Sequence, residues 1–164
     1  MVLPQLGRID CGIVGEPTGM QMAVAEKGLL VVDATAQGKA GHAAREEGES
    51  AIYTALQDIE FLRSYQFEKN SDLLGPVKMT VTQIEAGTQH NVVPDTCRFV
   101  VDIRTNEQYT NEDIFVILQT NLRSELRARS LRLNSSSIPL NHPLVQQGKA
   151  LGLRSYGSPT LSDS

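Results

Sequence analysis

The side chains best placed to do chemistry in this sequence are a few carboxylates and histidines set among glycine and proline. Glu16 stands in Gly15-Glu16-Pro17-Thr18, directly after a short apolar run. The end of a strand is where α/β folds present ligands, so a carboxylate there suits a metal or substrate, and equally a solvated turn. His42 lies in Gly41-His42-Ala43-Ala44, with little bulk around it. An imidazole in that setting can donate to a substrate oxyanion, with a solvated turn histidine as the plain alternative. His90 and His142 read as structural or solvent-facing, and the three histidines lack the HExxH spacing of a zinc-binding helix. Cys97 alternates with apolar residues and reads as a small buried hydrophobe. No GxGxxG, Walker or GxSxG motif occurs.

Composition narrows the classes. The chain has 164 residues, 40% of them hydrophobic, and a net charge of −4, which suits a globular domain and argues against a general nucleic-acid binder. No apolar run approaches the ~20 residues that span a bilayer. Two cysteines, Cys11 and Cys97, can neither build a disulfide framework nor fill a four-cysteine zinc site. No basic region followed by a long apolar one opens the chain, so the expected compartment is the cytosol.

The elements follow from hydrophobic periodicity. Residues 9–14 read as a buried strand entering a tight turn. Residues 20–26 and 29–37 flank Lys27-Gly28 and predict a hairpin, with Leu30, Val32, Ala34 and Ala36 on one face. Ala51, Ile52, Ala55, Leu56, Ile59 and Leu62 recur at helical spacing over residues 50–65. Residues 77–86 alternate as a strand whose pattern slips at Gln83-Ile84, where a bulge is expected. In residues 96–104, Cys97, Phe99, Val101 and Ile103 share a face. Thr110 and Asp113 form a capping-box pattern that opens a helix to about Leu126, followed by a strand at residues 129–133. The order strand, helix, strand, strand, helix, strand predicts an α+β ferredoxin-like sandwich, two helices on one face of a four-stranded antiparallel sheet. Asn134-Ser135-Ser136-Ser137 reads as a polar linker, residues 141–151 as a short helix, and residues 157–164 as a stretch with no terminating element.

Five segments in register carry a resemblance. Gly15-Glu16-Pro17-Thr18, Ala25-Glu26-Lys27-Gly28, residues 38–44, residues 87–94 and Val101-Asp102-Ile103-Arg104 are similar to the dimerisation domain, with its borders, of the two-zinc peptidase and deacylase family, most of all to its acetylornithine deacetylase-like members. The resemblance implies that residues 1–19 end a first catalytic-domain segment, 20–137 form the dimerisation or lid domain, and 138–164 begin a second catalytic segment. It also implies an excised, inactive fragment, because the family's His-x-Asp strand, Glu-Glu pair and late metal-binding histidine have no counterpart here.

The resemblance assigns roles residue by residue. Glu16 is the implied zinc ligand, one of those for a pair of zinc ions, or cobalt in their place. His42 is the implied oxyanion-stabilising lid histidine, reaching into a partner subunit's active site. Asn91, Arg104 and Ser162 are the implied substrate contacts, Arg104 alternatively pairing with Asp102 or Glu107 on a wet sheet face. The implied substrate is a small N-acyl amino acid, with a desuccinylase, a carboxypeptidase or a stand-alone ferredoxin-like binding module as alternatives. No nucleic-acid or membrane partner is expected. In a sheet of this order the second strand is an edge, so a homodimer through residues 77–86 and the helix at 50–65 is expected.

Overall fold

The computed structural model describes residues 11–162. The chain runs β1 (Met22–Glu26), β2 (Gly28–Gln37), β3 (Gly41–His42), α1 (Ala51–Ser64), β4 (Lys78–Ala86), β5 (Val92–Val93), β6 (Thr96–Thr105), α2 (Asn111–Asn121), β7 (Glu125–Ala128), β8 (Ser136–Ser137), α3 (Pro143–Ala150) and β9 (Ser155–Ser158). The main sheet has the order β4-β6-β2-β7 with every neighbouring pair antiparallel. With α1 and α2 inserted between its strands, this is the ferredoxin-like arrangement, and β4 and β7 are its edges.

Strict alternation builds the core. On β2 the residues Leu30, Val32, Ala34 and Ala36 are buried, and on β6 so are Cys97, Phe99, Val101 and Ile103. The two strands pair over ten residues, from Gly28 opposite Thr105 to Gln37 opposite Thr96. Ile114 and Leu118 of α2 and Ala51, Ala55 and Leu62 of α1 close over that face. Each fully buried large side chain contributes roughly 1.5–3 kcal/mol relative to exposure. The expected bulge is present, as a register shift between Val81 and Gln83.

Several expectations are corrected. Of residues 9–14, the first two lie outside the described residues and the rest form no strand; Ile13 is 87% exposed. A strand exists only where its backbone groups find a ladder, and no described strand pairs with this segment. Residues 20–37 make no hairpin. β1 instead joins a second sheet of order β8-β1-β9, and the chain passes from one sheet to the other at Lys27-Gly28. A side chain at position 28 would collide with Thr105 Oγ1 and the backbone of Leu133 and Ser135, so glycine is required where the two crossing segments touch. The supposed linker supplies β8, and Asn134 Oδ1 accepts the Asn111 amide at 2.8 Å. Residues 155–158 form β9, parallel to β1.

The second helix ends at Asn121 rather than near Leu126, and the last strand of the main sheet is Glu125–Ala128 rather than 129–133. The cause is Asp58. Its buried carboxylate accepts the Arg123 and Ser124 amides at 3.0 and 2.9 Å and the Ser124 hydroxyl at 2.6 Å. Those bonds take the amides that would otherwise prolong the helix, and they tie α1 to the turn between α2 and β7. Asp58→Ala should therefore cost about 2–4 kcal/mol in urea denaturation, since three donors lose their acceptor together. At the other end of α2 the capping box is complete, with Thr110 and Asp113 each accepting the other's backbone amide. Bonds from the Thr110 backbone and hydroxyl group pull the Asp113 carboxyl below its ordinary value. A lowered carboxylate stabilises the fold above its unfolded pKa and ceases to as pH falls through the folded one. Melting curves of Asp113→Asn should thus lie below those of the parent chain near pH 6 and converge with them as pH falls below about 4.

Candidate active-site lid and its two ends

Beyond the end of β2 the chain leaves the sheet as a narrow ribbon. Gly38 N donates to Asp95 O at 2.8 Å, and Lys39 and Glu49 exchange backbone bonds at 2.8 and 2.9 Å. β3 pairs with β5, Gly41 opposite Val93 and His42 opposite Val92. Ala43 N donates to Asn91 O at 3.0 Å, and Ala51 N donates to Pro94 O at 2.9 Å, which fastens the ribbon to the first turn of α1. A side chain at position 38 would strike Glu49 O and Ala51 N, so the strand can meet the helix start this closely only through glycine.

The ribbon brings His42 and Asn91 together although 48 residues separate them in the chain. His42 is exposed, and its Nδ1 accepts the Ala44 amide at 3.1 Å. A neutral imidazole that accepts at Nδ1 carries its proton on Nε2, so the outer nitrogen is a donor. The Asn91 side-chain amide makes no hydrogen bond among the described residues. Together they present uncommitted N–H groups suited to an oxygen on which negative charge develops.

The other expected substrate residues lie at the opposite end of the sheet. Arg104 stands eight residues along β6 from Thr96, which at 3.3 Å per residue is roughly 26 Å from the ribbon's base. Its guanidinium forks onto Asp102, Nε to Oδ1 at 2.7 Å and Nη2 to Oδ2 at 3.0 Å, the ion-pair alternative read from the sequence. Ser162 donates from N and Oγ to Glu26 Oε2 at 3.3 and 3.0 Å, close to the crossing at Gly28. Glu16 is exposed, in a turn where Thr18 N donates to Glu16 O at 2.7 Å. Among the described residues no three His, Cys, Asp or Glu side chains gather into a metal-holding set. Glu16 alone does not fit a zinc site, so no chemical step is derived through a metal here.

His142 caps α3, its Nδ1 accepting the Leu144 amide at 3.3 Å, and His90 is exposed. Burial pushes the Cys97 thiol up, which keeps it a packing residue. A cleft of about 700 Å³ crosses the open sheet face over Thr35, Arg98 and Arg127. At its side Arg129 grips Asp33 at 2.8–3.2 Å and lowers that carboxyl. Sequence reasoning missed Asp58, although a carboxylate on the 51-55-58-62 stripe is a visible anomaly. It also missed Lys27, which a hairpin turn would have left in water.

Comparison with known proteins agrees with this architecture. The chain is similar to the acetylornithine deacetylase of Myxococcus xanthus, 37% identical over 128 residues that cover 74% of this chain and 33% of that protein. It is 29% identical to the succinyl-diaminopimelate desuccinylase of Cereibacter sphaeroides over 109 residues, 62% of this chain and 29% of that one. The chain thus spans about a third of the length of these curated relatives. Its fold matches a tripeptidase of Staphylococcus aureus with a TM-score of 0.65 at 18% identity, covering 88% of this chain and 41% of that one. It also matches an M20 family metallo-carboxypeptidase of Sulfolobus solfataricus with a TM-score of 0.65 at 15% identity, covering 91% and 56%. The peptidase dimerisation domain of the M20 type matches residues 24–130, and the chain belongs to that family.

Proposed function

We propose that the chain is the lid and dimerisation module of a metal-dependent amide hydrolase that deacylates N-acyl amino acids of the acetylornithine class. The observation that carries this reading is the separation of its two polar ends. His42 and Asn91 stand on the ribbon whose base, at Thr96, is roughly 26 Å along β6 from Arg104, too far to share one small substrate within a chain. A twin chain removes the conflict: His42 of one subunit serves the site to which Arg104 and Ser162 of the other belong. There the Nε2–H of His42 donates to the developing oxyanion, and Asn91 adds its amide. The unused donors of Arg104 orient the substrate carboxylate. Zinc, or cobalt in its place, belongs in this reading to the catalytic domain, to which residues 1–19 and 138–164 contribute and Glu16 supplies one ligand. Residues 20–137 form the lid, with β1 and β8 as its seam to those flanks.

The exposed surface supports the twin. β4 is an edge strand, and Tyr53 and Leu56 of α1 and Ile84 of β4 are 70%, 50% and 55% exposed. Pairing along residues 77–86, with the α1 helices side by side, gives a continuous eight-stranded sheet and covers them. Sedimentation of the chain should show a dimer at micromolar concentration, and Tyr53→Asp with Ile84→Asp should weaken it at least tenfold without lowering helix content. A monomeric parent chain removes the composite site.

Activity tests the rest. The chain alone should not hydrolyse N-acetylornithine. Joined to the catalytic segments of the Myxococcus xanthus relative it should, and His42→Ala should then lower kcat by about 10²–10³-fold with a small change in KM. Preference for N-succinyl-diaminopimelate would transfer the chain to the desuccinylases.

A further inference from the structure

The loop that follows His42 owes its shape to its two ends. Residues 43–47 are all exposed, and the ion pair within them, Arg45 Nη1 to Glu47 Oε1 at 3.6 Å, lies in water, where such pairs contribute little. Backbone bonds hold the loop, from Ala43 N to Asn91 O at 3.0 Å and from Arg45 N to His42 O at 2.8 Å. Between them the Ala44 amide donates to His42 Nδ1 at 3.1 Å. The ring is therefore only as well placed as the backbone that carries Ala44.

Where the loop returns, its backbone lies against its own start. A Cβ at Gly41 would meet the nitrogen and Cα of Gly48 at 2.9 and 3.0 Å. A Cβ at Gly48 would meet Cβ and Cγ1 of Val93 at 3.0 and 3.1 Å and the Lys39 carbonyl at 3.1 Å. Val93 is also the ladder partner of Gly41, so Gly48 sits over the Gly41–Val93 pair with the valine as its cover. Neither glycine has a positive φ, so the close approach and not the backbone conformation calls for glycine at both positions. The backbone bonds between Lys39 and Glu49 clamp the loop on the far side of this seat. His42 is the first residue to leave it, and Ala44 follows two residues later.

We propose that Gly48, seated on Gly41 and covered by Val93, is a positioning residue for His42: it holds the Ala44 amide against Nδ1, so that the outer Nε2–H is aimed in one direction. The role of the ring as an oxyanion donor rests on the hydrolase reading; the seating of the ring does not. A methyl group at position 48 forces its neighbours apart by a few tenths of an ångström. A hydrogen bond already at 3.1 Å has little length to spare, and an exposed ring that loses it turns about χ1 and carries its proton on either nitrogen. An oxyanion donor acts by being aimed before the charge develops, so a loosened ring slows turnover and leaves substrate binding much as it was.

Gly48→Ala and Val93→Ala test the seat from its two sides, the first by forcing it apart and the second by removing its cover. In this chain, amide exchange with water and imidazole nitrogen spectra are recorded by NMR at about pH 8, where ordinary imidazoles are neutral. The parent should show His42 with its proton on Nε2. Both variants should speed exchange at Ala44 by about fivefold and move the His42 ring signals. His142, whose Nδ1 accepts the Leu144 amide in α3, should stay unchanged as the internal control. Circular dichroism and melting temperature establish that each variant is folded; if Gly48→Ala does not fold, Val93→Ala carries the test. In the enzyme rejoined to the Myxococcus xanthus catalytic segments, Gly48→Ala should lower kcat by about tenfold with KM little changed, and should cost nothing further in a His42→Ala background. Unchanged Ala44 exchange and ring signals in the folded variants, or an equal loss of kcat with and without the imidazole, overturns the proposal. An inactive rejoined enzyme, or a neutral His42→Ala, with the Ala44 and ring responses intact overturns the hydrolase role of His42 and leaves the seat standing.

Discussion

The ten-residue antiparallel pairing of β2 with β6 is the constraint from which the rest of the molecule is built. Its inward residues make the core, and its two ends set where polar groups can stand. At one end the last pair, Gln37 with Thr96, launches both arms of the ribbon that carries His42 and Asn91. At the other, Gly28 opposite Thr105 begins the passage into the second sheet. Because strand pairing is stiff along its length, the distance between the two ends is fixed by residue count. A one-residue slip of β6 along β2 would turn Phe99 and its fellow inward residues outward while Leu30 stayed inside, so the core and the spacing are specified together.

Much of this was legible because the periods are clean. Alternation over residues 29–37 and 96–104 identified the central strands, and the Thr110–Asp113 box located a helix start that the structure reproduces atom for atom. What failed did so for one physical reason. The hairpin at Lys27-Gly28, the over-long second helix and the polar linker were all local inferences overruled by partners far along the chain. Asp58 acts on residues 65 and 66 positions away, and Ser136 and Ser137 pair with Ala25 and Glu26. Local pattern carries no information about such partners. The candidate residues were legible as types, and the ribbon sets His42 and Asn91 at the same end of the sheet. Their distance from Arg104 depends on topology and could not be read from motifs.

The polar groups buried at the crossing differ in kind from those in the ribbon. Thr105, Asn106 and Asn111 are fully buried, yet they bond to one another or to backbone carbonyls. Satisfied in this way they cost little and define a single arrangement of the two crossing segments. The ribbon relies on main-chain bonds with its side chains in water. One end of the sheet is therefore braced by side chains and the other by backbone, and this leaves the outer nitrogens of His42 and Asn91 uncommitted.

The bulge between Val81 and Gln83 bears on assembly as a matter of phase. A smooth edge strand accepts an incoming strand in several alignments two residues apart, all with similar energy, and such degeneracy is the route to open-ended stacking. One irregular step removes the translational symmetry of the edge. An incoming strand that slides by two residues meets the irregularity at the wrong place and forfeits bonds on either side of it. A defect of one residue in β4 thus acts as an index mark: it favours one alignment, and so a finite assembly over an endless sheet.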